Sequence, residues 1–231
     1  MINPVLAQLE DLLAMACEED RTNLQTVIGA GFGNSPKLLC DHFNYLHGGF
    51  AGQLWNRRSW KQLVTDVADH IQIDWNGLLR GRSWDDLPAS DIEDAVVVTV
   101  LGQILRNLSK EDQERIAREL GAATDDPDII FELLAGGLML ITKLSGFQIY
   151  LLTTTTLGAI TAGLGIALPF GIYTALTATI GVILGPIGFV ALAISALLTL
   201  SEANYSKLLP GVIYVSYLRH KIEERSLRSG D

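Results

Sequence analysis

The sequence predicts an all-α protein that carries one long apolar segment. Apolar residues recur at helical spacing, capping residues precede these runs, and the alternating apolar and polar runs typical of half-buried strands are missing. The best strand candidate is residues 95–100, but it lies in a segment of helical length that begins with the capping pair Ser90 and Glu93. These observations predict a helical bundle.

Short amphipathic helices are predicted throughout residues 1–143. The first of them places Val5, Leu9, Leu13 and Ala16 on one apolar face. Local signals give the bounds of the others. Asn34-Ser35-Pro36 opens a helix that stops at Gly48-Gly49, and Ser59 caps the next one. Ser109 and Asp112 open a helix that ends at Gly121, and Asp126-Pro127 opens one that carries Lys143.

Acidic charge is confined to the part of the chain that precedes the apolar segment. Residues 1–143 hold 12 basic and 22 acidic side chains, whereas residues 202–231 hold 5 and 4. Phosphate binding requires clustered Lys and Arg, so this balance argues against a nucleic-acid partner. We expect an acidic helical region (1–143), a hydrophobic hairpin (144–201) and a C-terminal helix and tail (202–231), packed as one unit.

Residues 144–201 contain no charged side chain. The first limb, residues 147–168, is 22 residues long, and a membrane-spanning helix needs about 20. Pro169 breaks the helix, and residues 170–200 form a second limb. The pattern predicts a central helical hairpin that is able to enter a membrane.

Aromatic residues are candidates for contact with the membrane interface, and small residues would let the two limbs of the hairpin pack closely. The candidate membrane-insertion residues are Phe147, Tyr150, Gly158, Ala162, Pro169, Phe170, Tyr173, Gly181, Gly185 and Pro186. Flanking cations are candidate contacts for lipid headgroups, with plain solvated ends as the alternative: Lys143, Lys207, Arg219 and Lys221.

Insertion of the first limb is expected to be marginal. Its nine strongly apolar residues contribute about −3 to −5 kcal/mol, and its threonines, its glycines and Gln148 oppose them. A helix that is apolar all round either spans a membrane or is buried in a bundle. Permanent insertion, conditional insertion and burial in a core therefore stay open.

Motifs for catalysis, cofactors or metals are weak. The glycine-rich run at 27–33 lacks the third glycine and the preceding strand of a dinucleotide-binding fold, so a turn between two helices is expected. Cys40 and His42 stand two positions apart and would point to different faces of a helix. We expect no enzyme activity, no cofactor and no metal.

Two blocks of the sequence carry a family resemblance. Residues 48–75 and residues 145–219, with LPF at 168–170, GPIG at 185–188 and KLLP at 207–210, resemble YaaW-type bacterial proteins, a family of unknown function. Relatives are sometimes labelled as similar to ubiquinol-cytochrome c chaperones, which implies a helical assembly factor. This chain departs from the family pattern at Phe50-Ala51, where the family has a polar pair.

The leading hypothesis is a non-enzymatic membrane-active effector with a toxin or antiviral-defence role. Its hairpin would enter the bacterial inner membrane and form a pore, in an arrangement that looks like colicins and Bcl-2-type proteins. The alternative is a membrane-associated chaperone or assembly factor that binds a protein client. The expected partners are a lipid bilayer and either further copies of the chain or a client. The expected location is the cytoplasm, with peripheral or integral attachment to the inner membrane.

Overall fold

A computed structural model describes residues 9–54, 57–124, 133, 144–165 and 204–229. These ranges are helical and contain no strand, so the predicted all-α fold class is confirmed. The helices in them are α1 (Leu9–Met15), α2 (Glu18–Ile28), α3 (Pro36–Leu54), α4 (Trp60–His70), α5 (Trp75–Leu79), α6 (Ala89–Arg106), α7 (Lys110–Thr124), α8 (Gly146–Gly163) and α9 (Tyr205–Ser229).

The C-terminal helix α9 lies at the centre of the bundle. It packs against α2, α6 and α8 and also contacts α1, α3 and α4. Every residue from 208 to 220 is buried, as expected of a helix surrounded by other helices. The sequence predicted a C-terminal helix and tail in residues 202–231, and a proline inside a helix usually breaks it. The structure instead contains Pro210 within a helix of 25 residues.

Helix α8, the first limb of the predicted hairpin, is part of the core. Its residues 151–161 are buried, and it packs against α6 and α9. Thr153, Thr156 and Thr161 each donate a hydroxyl hydrogen bond of 2.8 Å to the carbonyl four residues earlier. These bonds to the backbone of the same helix satisfy the three hydroxyl groups, which lowers the cost of burying a threonine-rich helix.

Membrane insertion of the hairpin was the central functional prediction, and it is wrong. None of the helices in the described ranges joins enough length to enough apolar character to serve as a transmembrane span. The pore hypothesis and integral attachment to the inner membrane are overturned with it. The second limb, residues 170–200, and the helix predicted after Asp126-Pro127 lie outside the described residues.

Most of the local start signals are confirmed. Pro36 opens α3, Ser59 forms a capping box with Gln62 ahead of α4, and Ser109 Oγ accepts a hydrogen bond of 3.1 Å from the Asp112 backbone before α7. A side chain that hydrogen-bonds within its own turn needs no distant partner. These starts were therefore predictable from sequence.

Two predicted boundaries differ from the structure, and a third is confirmed. α6 begins at Ala89, so its N-cap is Pro88, which has no polar side chain; Ser90 lies inside the helix, and Glu93 binds Arg219. The predicted stop at Gly48-Gly49 is confirmed as a break, because both residues have non-helical backbone angles, and a second helical segment runs on to Leu54. α7 passes Gly121 and ends at Thr124.

Candidate functional site

An apolar cleft lies between the loop after α2 and one face of α3. Its volume is about 630 Å³. The residues that line it are Ala30, Phe32, Gly33, Leu38, Asp41, His42, Tyr45 and Phe50. Six large apolar side chains are exposed in the described part of the chain, and four of them line this cleft: Phe32, Leu38, Tyr45 and Phe50. We call it the α2–α3 cleft.

The loop that forms one wall is held against α2. Gly29 adopts a left-handed conformation (φ 67°) that ends α2. Gln25 Nε2 donates a hydrogen bond of 3.0 Å to the Ala30 carbonyl, and Asn34 Nδ2 donates one of 2.8 Å to Thr22 Oγ1. The glycine-rich run is therefore a turn, as predicted. Phe32 at its tip stands 85% exposed, on a loop that is fixed at both ends.

The opposite wall is a second apolar face of α3. Leu39, Phe43 and Leu46 form the first face and are buried in the core. The residues of α3 that line the cleft are Leu38, Asp41, His42 and Tyr45. They also recur at three- and four-residue intervals, and all but Asp41 come one position before a residue of the first face. α3 therefore presents apolar side chains both to the core and to the cleft.

A kink in α3 places the last aromatic residue of the cleft. Gly49 has φ 60° and ψ −153°, a conformation that is essentially restricted to glycine. The kink turns the chain beyond Gly48, so that Phe50 closes one end of the cleft while remaining 65% exposed.

His42 is the ionisable group most clearly perturbed by the cleft. Its Nε2 lies 3.2 Å from the Ile28 carbonyl oxygen, and its ring stacks on Tyr45 with centroids 5.8 Å apart. Burial lowers the His42 pKa and the Lys207 ammonium adds to this effect, although the contact with Ile28 opposes both. His42 is accordingly neutral at neutral pH, and its Nε2–H donates to the Ile28 carbonyl.

Cys40 lacks the properties of a nucleophile. Burial, followed by the carboxylates of Glu10 and Asp41, raises the pKa of the thiol to about 12, so the thiolate is not populated near neutral pH. Across the described ranges, no three His, Cys, Asp or Glu side chains come together in a way that could hold a metal ion.

A buried ion pair joins α6 to α9. Arg219 donates from Nε and Nη2 to the two carboxylate oxygens of Glu93 at 2.9 and 2.8 Å, and both side chains are at most 2% exposed. Trp60 of α4 donates its indole N–H to Glu93 Oε1 at 2.6 Å. Three helices are therefore connected by one carboxylate.

The next residue of each helix repeats this pairing. Asp94 Oδ1 lies 2.9 Å from His220 Nε2 and accepts a hydrogen bond of 3.0 Å from Ser216 Oγ. Burial alone would lower the His220 pKa, but the charge and hydrogen bond of Asp94, with smaller contributions from Glu223 and Glu93, raise it above its ordinary value. The serine contacts the aspartate rather than the histidine, so this group is not arranged as a nucleophile and base.

Three of the four predicted headgroup cations lie in the described residues, and these three do not share one surface. Arg219 is buried in the ion pair, where its charge is compensated by Glu93. Lys221 Nζ lies 2.5 Å from Asp20 Oδ1 at the start of α2. Lys207 lies against the Gly29 backbone at the end of α2. Lys143 lies outside the described residues.

Of the predicted membrane-insertion residues, four fall in α8. Tyr150 is half-buried and stacks on Tyr217 with centroids 5.7 Å apart, and burial raises its pKa to about 12. Gly158 is buried in the core. Phe147 and Ala162 lie on α8, but their side chains are outside the described set. The other six also lie outside the described residues: Pro169, Phe170, Tyr173, Gly181, Gly185 and Pro186.

Comparison with known proteins finds distant relatives only. No family model and no solved structure matches the chain. A UPF0174 protein of Helicobacter pylori strain 26695 is 22% identical over 216 residues, which is 90% of this chain and 99% of the relative. A UPF0174 protein of strain J99 is 22% identical over 166 residues, 71% of this chain and 62% of the relative. The chain is thus similar, over nearly its whole length, to an uncharacterised bacterial protein described as UPF0174.

Proposed function

We propose that this protein is a non-enzymatic binding protein whose α2–α3 cleft takes up an apolar segment of a partner protein. The observation that carries the proposal is the convergence of Phe32, Leu38, Tyr45 and Phe50, all exposed, on one cleft. Single exposed apolar residues are common, but a contiguous apolar patch with polar surroundings is typical of an interaction site.

The charge of the protein favours a basic partner segment. The chain has a net charge of −9, and the region up to residue 143, which contains the cleft, holds 22 acidic side chains against 12 basic ones. Such a field speeds the approach of a positively charged partner and selects against an acidic one. The occupant that fits both properties is an amphipathic segment, apolar on one face and rich in Lys or Arg on the other.

The chemistry of the cleft supports binding rather than catalysis. Three of its lining residues carry acid or base groups: Asp41, His42 and, as a weak acid, Tyr45. Asp41 forms an ion pair with Arg57, and the Nε2 of His42 is engaged by the Ile28 carbonyl. Neither group stands beside a nucleophile. The resemblance to YaaW-type proteins and to assembly factors is compatible with a role in holding a client chain.

Titration with a designed helical peptide tests the proposal. A fluorescent Leu/Lys amphipathic peptide is expected to bind, and Phe32→Ser and Phe50→Ser are each expected to weaken binding about tenfold, the effect of losing one buried aromatic anchor. Leu227→Ser is the matched control, because Leu227 is 76% exposed and lies outside the cleft. Equal losses in all three variants, or equal binding of a Leu/Glu peptide, would contradict the proposal.

Binding at the cleft is expected to weaken on acidification. His42 has a lowered pKa, so the folded protein resists its protonation, and a bound apolar segment would add to the desolvation. The charged groups around His42 are Asp41 of α3, Arg57 ahead of α4 and Lys207 of α9. Affinity should therefore be full near neutral pH and fall once the pH drops below the lowered His42 pKa of the free protein.

Peptide titrations at pH 7.5 and 5.5 measure this dependence. In the variant His42→Gln, the amide can still donate to the Ile28 carbonyl but carries no titrating charge. The affinity of this variant for the peptide should therefore be the same at both pH values. Loss of affinity at pH 5.5 that is as large in His42→Gln as in the native protein would exclude His42 as the cause.

A further inference from the structure

A second cleft is lined only by side chains with ionisable groups. His47 of α3, Arg58 ahead of α4 and Tyr205 of α9 form three parts of it, and α4 contributes the rest: Asp66, Asp69 and His70. Its volume is about 450 Å³, and it shares no lining residue with the α2–α3 cleft. We call it the polar cleft. Its composition indicates recognition of a charged molecule rather than of an apolar one.

Arg58 presents a partly exposed guanidinium to this cleft. Its backbone N–H donates a hydrogen bond of 2.7 Å to Asn44 Oδ1, which fixes the residue in place. Its Nε is buried and lies 3.7 Å from Asp66 Oδ2, within ion-pair distance but too far for a hydrogen bond. Asp66 is closer to His47, whose Nε2 lies 2.9 Å away. The planar guanidinium is 38% exposed and has the geometry that suits a carboxylate.

Asp69 offers the opposite charge. Its Oδ1 accepts a hydrogen bond of 2.6 Å from the indole N–H of Trp75, a neutral donor. Asp69 makes no ion pair with any residue in the described ranges, whereas Asp66 lies beside His47 and Arg58. A carboxylate has about four acceptor positions, so a single indole leaves most of its capacity to a ligand.

One wall of the polar cleft is formed by two stacked rings. The rings of His70 and Tyr205 lie parallel, with centroids 3.8 Å apart and an interplanar angle of 1°. Burial and then the carboxylates of Asp66 and Asp69 raise the pKa of the Tyr205 hydroxyl, so it remains a protonated donor. The cleft thus combines a cation, an anion and a hydroxyl donor on one rigid surface.

We propose that the polar cleft binds a small zwitterion of the amino-acid type. The ligand carboxylate would accept hydrogen bonds from Arg58, and the ligand ammonium would donate to Asp69. A simple anion would leave Asp69 without a cationic partner. A simple cation would give the Arg58 guanidinium, which lies near Asp66 but beyond hydrogen-bond distance, no closer acceptor. A molecule that carries both charges satisfies both side chains at once. The cavity is large enough for an amino acid with its side chain.

Isothermal titration calorimetry with single compounds tests this proposal on the full chain. Phenylalanine and glycine are expected to bind, while acetate, inorganic phosphate and methylammonium each bind at least tenfold more weakly. Arg58→Gln and Asp69→Asn are each expected to lower the affinity for phenylalanine at least tenfold. Arg57→Gln, next in sequence but paired with Asp41 outside this cleft, should leave it unchanged.

Each other result overturns the proposal in a distinct way. Acetate or phosphate binding as tightly as phenylalanine, with no effect of Asp69→Asn, would define a simple anion site. Binding of methylammonium alone that is abolished by Asp69→Asn would define a cation site. Absence of heat with every compound, for a protein whose thermal unfolding shows it to be folded, would mean that the six side chains have only a structural role.

Discussion

Replacement of Arg219 by methionine is expected to lower the free energy of unfolding by about 3–5 kcal/mol. Methionine fills much of the volume but leaves the Glu93 carboxylate without a cation, and that carboxylate is 0% exposed. Trp60 keeps its hydrogen bond to Glu93 but supplies no charge. Urea unfolding monitored by far-ultraviolet circular dichroism measures the change as a lowered midpoint.

Two further variants separate lost charge compensation from lost volume. Adding Glu93→Gln to Arg219→Met removes the stranded charge and keeps an acceptor for Trp60, so most of the stability should return. Arg82→Met breaks an exposed pair with Asp91 and should cost less than about 1 kcal/mol. If the double variant is no more stable than Arg219→Met, the cost arises from packing and the interpretation as an ion pair is wrong.

Truncation of Leu157 to alanine is expected to cost about 2–5 kcal/mol. Leu157 is 0% exposed on α8, which packs against α6 and α9, so the substitution leaves a cavity in the core. Leu227→Ala removes an exposed side chain of the same kind and should change stability by less than about 0.5 kcal/mol. Equal, small effects of the two substitutions would contradict the core position of α8.

The uncharged segment shows why composition alone misled the functional prediction. A helix that is apolar all round has two favourable environments, lipid and a protein core, and the sequence of the helix is the same in both. α8 lies in a protein core because α6 and α9 pack against it. The run VIYVSYL of α9, residues 212–218, was the available signal, since it is nearly continuous in apolar residues.

The buried ion pairs illustrate the limit of local rules. The capping pair Ser90 and Glu93 matches a local signature, yet the Glu93 carboxylate binds Arg219, which is 126 positions away in the chain. The available signal was a pair of acids followed directly by the apolar run 95–98, because a charge on a buried face requires a partner. The sequence did not indicate which cation would supply it.

The α2–α3 cleft was predictable only in part. The turn at 29–33 and the start of α3 follow from glycine and proline, whose conformations are local properties. Leu38 and Leu39 are neighbours in sequence and lie about 100° apart around the helix axis. The apolar stripe of α3 is therefore wide, and one edge of it can face away from the core. Its exposure depends on what packs beside the helix, which local patterns do not specify.

The central claim is that an apolar, basic segment binds in the α2–α3 cleft, and chemical-shift mapping tests it most directly. Two-dimensional NMR spectra of isotope-labelled protein, recorded as the Leu/Lys peptide is added, should show their largest changes at Ala30, Phe32, Leu38, Tyr45 and Phe50. Residues of the polar cleft and of the far end of α9 should stay unchanged. Changes centred on another face, with these five residues unaffected, would contradict the account.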